Sequence, residues 1–242
     1  TESHAVLMMN SLWGACANAD GIEAAFCSAV CARTPRWGMH VPESRKGTHL
    51  FYLTCEPETV EDWDLVGYAV GLHLPPHSVP ILAGNVENAD MVRLKSCFAA
   101  MATTAGPELC HILGVTPEAP TLASCLSPSG LEDKVEIGPK QLRQAREILC
   151  DSRPGRVDYI SLGCPHYSID QVGEVASWLK GKRVFPGTTL HVWTALPIRA
   201  VADRCGYTRT IEEAGGTLMV GSCPLVSEKW PSGTTAMAFD SA

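Results

Sequence analysis

No stretch of this sequence reaches the roughly 18–20 uninterrupted apolar residues that a membrane-crossing helix needs, so no membrane partner is expected. Positive charge is also scarce. The chain has 19 Lys and Arg against 26 Asp and Glu, a formal charge of −7, and no dense basic block. An electrostatic grip on nucleic acid or on an anionic membrane is therefore not expected, although a small anion held by a few placed donors is compatible with this balance. CxxC is absent, which argues against a thiol-redox centre. GxGxxG and Walker patterns are absent too, so no nucleotide is implied, and there is no GxSxG nucleophile elbow. Tandem repeats and low-complexity tracts are missing, which sets aside solenoids and solvated tails. The opening residues Thr1-Glu2-Ser3-His4 have neither an initiator Met nor the basic start of a signal peptide, and the apolar run behind them is short.

What is present is a composition suited to a folded core. Hydrophobic residues make up 45% and charged residues 19% of 242, enough for one large domain or two ordinary ones. Eleven cysteines, an odd number, are scattered through apolar segments such as Leu109-Cys110-His111-Ile112. That is no disulfide framework; most read as small buried hydrophobes in a reducing compartment, with the cytoplasm as the default location.

Short β-rich runs alternate with amphipathic stretches, which predicts α/β layering with largely parallel sheets. Strands are expected over His49–Thr54, Val79–Ala83 and Leu109–Leu113, with helices over Val60–Leu72 and Ala89–Thr103. A Pro-, Ser- and Thr-rich stretch from Thr116 to Pro128 suggests a boundary between units 1–125 and 126–242. Beyond it, helices are expected over Pro139–Asp151, Ile169–Leu179 behind the N-cap Ser168, Pro197–Cys205 and Ile211–Ala214. Strands are expected over Val157–Leu162, Thr189–Thr194 and Thr217–Val220.

Two cysteines stand out by position. Gly163-Cys164-Pro165-His166 and Gly221-Ser222-Cys223-Pro224 each follow a predicted strand, and in a parallel sheet the C-terminal strand ends are where sites gather. A thiolate there suits iron, although a lone cysteine after a strand is more often a packed small residue. His166 reads equally as a ligand, proton carrier or anion donor, or as a loop histidine bonded to backbone. Cys27 and Cys31 share one helix face in an Ala-rich segment and read as core. Glu2, Ser3, Asn10 and Ser11 offer groups suited to substrate or metal-bound water, or to caps; Arg45 offers a fork for a carboxylate, although exposed arginines are commonplace.

Taken in order, these pieces resemble the large-subunit portion of the aconitase X family. Glu2-Ser3, Asn10-Ser11 and Gly14-Ala15 are similar to its ESNA…NSVLGA segment, and Arg33, Pro35, Gly38, His40 and Arg45 to its GRxPxxGxHxxExR stretch. Gly114-Val115-Thr116-Pro117-Glu118-Ala119 is similar to GVTPEA, Gly163 through Ser168 to GCPHxS, and Ala214-Gly215 through Cys223-Pro224 to AGxxxxxDTCP. The resemblance spans nearly the whole chain. It implies an aconitase-like arrangement of α/β units around a site holding iron, as an iron-sulfur cluster or a mononuclear ion, with Cys164 and Cys223 matching metal ligands. It further implies a hydro-lyase that removes water from a small hydroxy acid, such as cis-3-hydroxy-L-proline or mevalonate 5-phosphate. His166, Glu2 and Ser3 would serve catalysis, and Asn10, Ser11, Arg45 and Ser168 substrate binding. A small swivelling domain or subunit is the implied partner. The chain is expected to be incomplete at both ends and inactive alone.

Three departures bear on this. Cys16 and Ala19 stand where the family's GARTNR segment has arginines, Ser222 where it has Thr, and Gly221 where it has Asp. Fewer arginines make a dianionic phosphate harder to hold, which ranks cis-3-hydroxy-L-proline ahead of mevalonate 5-phosphate. A catalytically silent homologue serving binding or assembly is the alternative reading.

Overall fold

The structure, a computed structural model, describes residues 2–76, 78–151, 155–222 and 231–242, with Glu2 and Ser3 described by backbone alone. The chain divides into two compact units, Glu2–Leu149 and Cys150–Ala242.

The first unit opens with helices α1 (Glu2–Trp13) and α2 (Ile22–Cys31) and two short 3-10 turns, Gly38–His40 and Pro42–Arg45. It continues through β1 (His49–Leu53), α3 (Val60–His73), β2 (Pro80–Gly84), α4 (Met91–Thr104), β3 (His111–Ile112), α5 (Leu122–Cys125), β4 (Asp133–Ile137) and α6 (Pro139–Leu149). The four strands form one sheet in the order β3-β2-β1-β4, and every pairing is parallel. His49 to Leu53 lie opposite Pro80 to Gly84 on one side and Asp133 to Ile137 on the other, so β1 is central and buried at all but Tyr52. This burial on both faces is what a continuous apolar strand such as Leu50-Phe51-Tyr52-Leu53 is suited to.

Helix α3 starts at a capping box in which Thr59 Oγ1 accepts from the Asp62 amide at 3.1 Å and the Asp62 carboxylate accepts from the Thr59 amide at 2.9 Å. The helix then buries Trp63, Val66 and Val70 against Phe51, Leu53, Phe98 and Met101. Each fully buried side chain of this size contributes about 1.5–3 kcal/mol. Gly67 lets α3 approach α4 closely, since a Cβ there would lie 2.0 Å from the Cys97 carbonyl oxygen.

The second unit contains β5 (Tyr159–Tyr167), α7 (Ile169–Leu179), β6 (Thr189–Thr194), α8 (Leu196–Cys205), α9 (Tyr207–Glu213), β7 (Gly216–Val220) and β8 (Met237–Phe239). Its sheet runs β7-β6-β5-β8, again all parallel, around a core of Val172, Leu190, Val192, Ala202, Ile211 and Leu218. Each sheet therefore steps outward from its first strand over two neighbours and places its last strand on the opposite side.

Several expectations need correction. The division falls after Leu149 rather than near residue 125, because β4 pairs with β1 and α6 packs on α3, which draws the Pro- and Ser-rich stretch into the first unit. Helix α1 and strands β4 and β8 were not anticipated from the sequence. The cysteines are not mostly buried: Cys55, Cys97, Cys110 and Cys125 are, whereas Cys16, Cys27, Cys31, Cys150 and Cys205 are exposed. Cys27 and Cys31 lie on α2, a helix none of whose residues is buried, so its apolar composition does not place it in the core. Among the described residues no helix is long and apolar enough to cross a membrane.

Candidate active site

In the second unit the direction of chain progression reverses between β5 and β8. Such a reversal leaves a crevice at the C-terminal strand ends, the place where open parallel sheets bind ligands. The sequence Gly163-Cys164-Pro165-His166 lies there, inside β5 rather than beyond it. Pairing of β5 with β6 holds through Leu162↔Val192, breaks, and resumes only at Tyr167↔Thr194, so residues 163–166 are looped out of the ladder. Gly163 has φ +95°, and a Cβ there would lie 2.3 Å from the Trp193 carbonyl oxygen; the loop leaves the strand through a position that accepts only glycine. The Cys164-Pro165 peptide bond is cis.

Several bonds hold this loop. The Gly163 amide donates to both carboxylate oxygens of Asp240, each at 3.1 Å. Burial, with the negative charge of Asp240 nearby, pushes the Tyr167 pKa up. Thr194 Oγ1 donates to the Tyr167 carbonyl at 2.7 Å. His166 Nε2 lies 2.7 Å from the Ser222 carbonyl oxygen at the end of β7. A carbonyl only accepts, so Nε2 carries the proton of this bond. Cys164 is half-buried. Ser168 caps α7: its Oγ accepts from the Gln171 amide at 3.3 Å, and Gln171 Oε1 accepts from the Ser168 amide at 3.1 Å. Cys223 lies outside the described residues.

The first unit carries the other expected site residues. Glu2 and Ser3 occupy the first turn of α1. Asn10 is fully buried and bridges backbone: its Nδ2 donates to the carbonyls of Ala17 at 2.7 Å and Glu108 at 2.8 Å, and its Oδ1 accepts from the Ala17 amide at 2.9 Å. Ser11 Oγ accepts from the Cys110 amide at 2.9 Å. Arg45 was expected to clamp a substrate carboxylate, and the carboxylate in its fork is instead that of Glu118. Nε donates to Glu118 Oε2 at 3.1 Å, Nη2 donates to Oε1, and Nη1 reaches the Met39 carbonyl at 3.4 Å. Arg45 is 5% exposed and Glu118 35%, so the pair is closed on the arginine side and open on the carboxylate side. His111, whose pKa burial pushes down, donates from Nε2 to the Arg45 carbonyl at 2.7 Å. Asn18 fixes the preceding turn by accepting from the Met39 amide at 2.6 Å and donating to the Trp37 carbonyl at 3.2 Å.

Cys164, His166 and Ser168 thus belong to the second unit, and Asn10, Ser11 and Arg45 to the first. Sequence reasoning did not single out Glu118, Asn18 or Asp240 as site residues. Glu118 sits in the Gly114–Ala119 segment that was singled out as a whole, and that was its signal. Nothing local marks Asp240, whose role depends on β8 pairing with β5.

As for iron, the donors fit in kind. A half-buried thiol beside an imidazole is soft, nitrogen-and-sulfur chemistry of the sort iron accepts. Among the described residues there is no cluster of three or more His, Cys, Asp or Glu able to hold a metal ion.

Comparison with known proteins accounts for nearly the whole chain. Residues 1–43 match the model of the aconitase X first domain, 47–147 the second domain and 157–242 the third. The chain belongs to the aconitase X family. The phosphomevalonate dehydratase large subunit of Methanothermobacter thermautotrophicus is 35% identical over 246 residues, covering 100% of this chain and 58% of that protein. The cis-3-hydroxy-L-proline dehydratase of Pseudomonas aeruginosa is 30% identical over 250 residues, covering 100% of this chain and 42% of that protein. The crystal structure of Thermococcus kodakaraensis aconitase X in its holo-form superposes with a TM-score of 0.83 at 29% identity, covering 99% of this chain and 60% of that one. The chain therefore spans about 60% or less of these relatives' lengths.

Proposed function

We propose that this chain supplies the large α/β part of an aconitase X type hydro-lyase that eliminates water from a small hydroxy acid. The observation that carries the reading is the looped Gly163–His166 segment, which presents a thiol and an imidazole at the β5/β8 crevice of a chain matched by three aconitase X domains.

Elimination from a hydroxy acid needs a base for the proton next to the carboxylate and an electrophile for the departing hydroxyl. In this reading Cys164 and Cys223 hold iron, as a cluster or a single ion, which supplies Lewis acidity at that hydroxyl when bound. His166, whose Nε2 donates to the Ser222 carbonyl, is the imidazole of the loop and the group assigned to take or deliver a proton. By the resemblance, Glu2 and Ser3, at the start of α1 in the first unit, are further catalytic residues; Ser168 lies at the N-terminus of α7, where N–H groups favour a substrate anion. Asn10, Ser11 and Arg45 act at one remove: their side chains hold the backbone and the Gly114–Ala119 turn, which leaves orientation of substrate to the groups these elements carry. The whole protein would include a small swivelling domain or subunit, in keeping with relatives named as large subunits.

Between substrates, the higher identity and coverage of the phosphomevalonate relative favour mevalonate 5-phosphate, whereas Cys16 and the exposed Ala19, in place of family arginines, favour the uncharged side of cis-3-hydroxy-L-proline. Those same replacements motivate the second reading, a silent subunit used in binding or assembly. The test is iron and sulfide content, with an electronic spectrum, of the anaerobically purified full-length protein and its Cys164→Ala and Cys223→Ala variants, followed by a two-substrate dehydration assay. Iron lost in both variants, with turnover of either hydroxy acid, supports the hydro-lyase. No iron in the wild type moves the assignment to the silent subunit.

A further inference from the structure

We infer that Asp240 is a positioning residue for the metal-binding loop, setting the geometry of Cys164 from the opposite wall of the crevice; the inference rests on the reading of Cys164 as an iron ligand.

Asp240 is the first residue past β8, the strand placed on the far side of β5 from β6 and β7. Its carboxylate takes the Gly163 amide with both oxygens, and its charge acts on the nearby Tyr167 side chain. Gly163 is where the backbone leaves the β5/β6 ladder, and Tyr167 is where it returns. One carboxylate therefore fastens the end at which the segment carrying Cys164 and His166 leaves the ladder. The other ties act at single points: Thr194 on the Tyr167 carbonyl and His166 on the Ser222 carbonyl. β8 pairs with β5 only from Tyr159↔Met237 to Ser161↔Phe239, so the backbone ladder ends before the loop begins and the Asp240 side chain continues the connection. Groups that orient a metal ligand from behind in this way typically change metal affinity by about 10–100-fold when removed.

The requirement is for a carboxylate whose two oxygens both face the Gly163 amide. Asparagine offers one oxygen and turns an NH2 group toward the Gly163 amide, so Asp240→Asn should loosen that end of the loop with little change of shape. The experiment uses the full-length protein, loaded with iron and titrated with a competing chelator, in the wild type, Asp240→Asn, Asp240→Glu, Tyr167→Phe and Cys164→Ala. The expected result is iron retention weakened at least tenfold in Asp240→Asn, a shifted thiolate-to-iron absorption band, partial recovery in Asp240→Glu, and a smaller loss in Tyr167→Phe. Unfolding temperature is read alongside. Should Asp240→Asn fail to fold, Asp240→Glu carries the test, because it keeps the charge and moves the carboxylate by one methylene relative to the Gly163 amide. Retention and spectrum equal to wild type in Asp240→Asn and Tyr167→Phe, with iron lost in Cys164→Ala, would overturn the inference and leave the iron reading standing. Iron held equally by wild type and Cys164→Ala would overturn both.

Discussion

Removing Glu118 leaves the buried guanidinium of Arg45 with the Met39 carbonyl, at 3.4 Å, as the hydrogen-bond partner of its side chain. Breaking a fully buried ion pair by deleting one member costs about 3–5 kcal/mol, because the remaining charge has lost its compensation. Glu118 is 35% exposed, so water takes over part of its task and the expected cost of Glu118→Ala falls to about 2–3 kcal/mol. The Val66 and Val70 amides in the core helix α3 report opening of the unit that contains the pair. Their hydrogen exchange should accelerate roughly 30- to 150-fold in Glu118→Ala, the equivalent of that free energy. The double variant Arg45→Met/Glu118→Leu removes both charges and should exchange more slowly than Glu118→Ala alone, since a well-packed apolar pair is close to neutral in stability. A loss below about 1 kcal/mol for Glu118→Ala, the value of an exposed pair, would refute the claim that Arg45 is desolvated and that this pair secures the Gly114–Ala119 turn.

Gly67→Ala should destabilise the first unit by about 3 kcal/mol in urea unfolding, because the added Cβ meets the Cys97 carbonyl oxygen, a backbone atom that cannot rotate aside. Asp62 titrates below the ordinary carboxylate value: its partial burial raises the pKa, but bonds from the Thr59 amide and hydroxyl and the Glu58 amide, with Arg146 nearby, together outweigh that burial. Its folded pKa is the lower one, so its contribution is present above the unfolded value of about 3.9 and is lost as pH falls through the folded value. The stability gap between wild type and Asp62→Asn should therefore be open at neutral pH and close in acid, measured by denaturant titration across that range. Burial pushes the Cys97 and Cys110 thiols far up, so brief alkylation of the native protein should modify Cys16, Cys27 and Cys31 and spare these two, as read by peptide mass mapping.

The elements legible in the sequence were those with a strong period or a local cap. β1, α3, α7 and β6 lie within a residue or so of their expected limits, because apolar runs and N-caps such as Ser168 encode them locally. β4, with its charged Asp133-Lys134-Val135-Glu136, was missed because it is an edge strand with little apolar surface to reveal it. β8 was missed because three residues carry no period. The Thr116–Pro128 stretch imitated a linker, and only the long-range pairing of β1 with β4 shows that it is internal. At the site, residue types and motif order pointed to Cys164 and His166, but the partners that hold them come from 50 to 80 residues away, as Ser222 and Asp240 do. The same limit applies to Arg45: its fork was evident, and that Glu118 fills it was not.

Helix α2 has Ile22, Phe26 and Val30 at 86%, 68% and 69% exposure along one stripe, and no buried residue anywhere. Ten residues are fewer than an isolated helix needs to hold itself together in water, so tertiary support would ordinarily decide whether such a segment stays wound. Its hydrogen bonds can consequently open and close without drawing on the cohesion of the sheet below. The segment behaves thermodynamically as a separate small unit, one whose helicity can be raised or lowered by whatever touches that stripe while Trp63 and Phe98 remain packed.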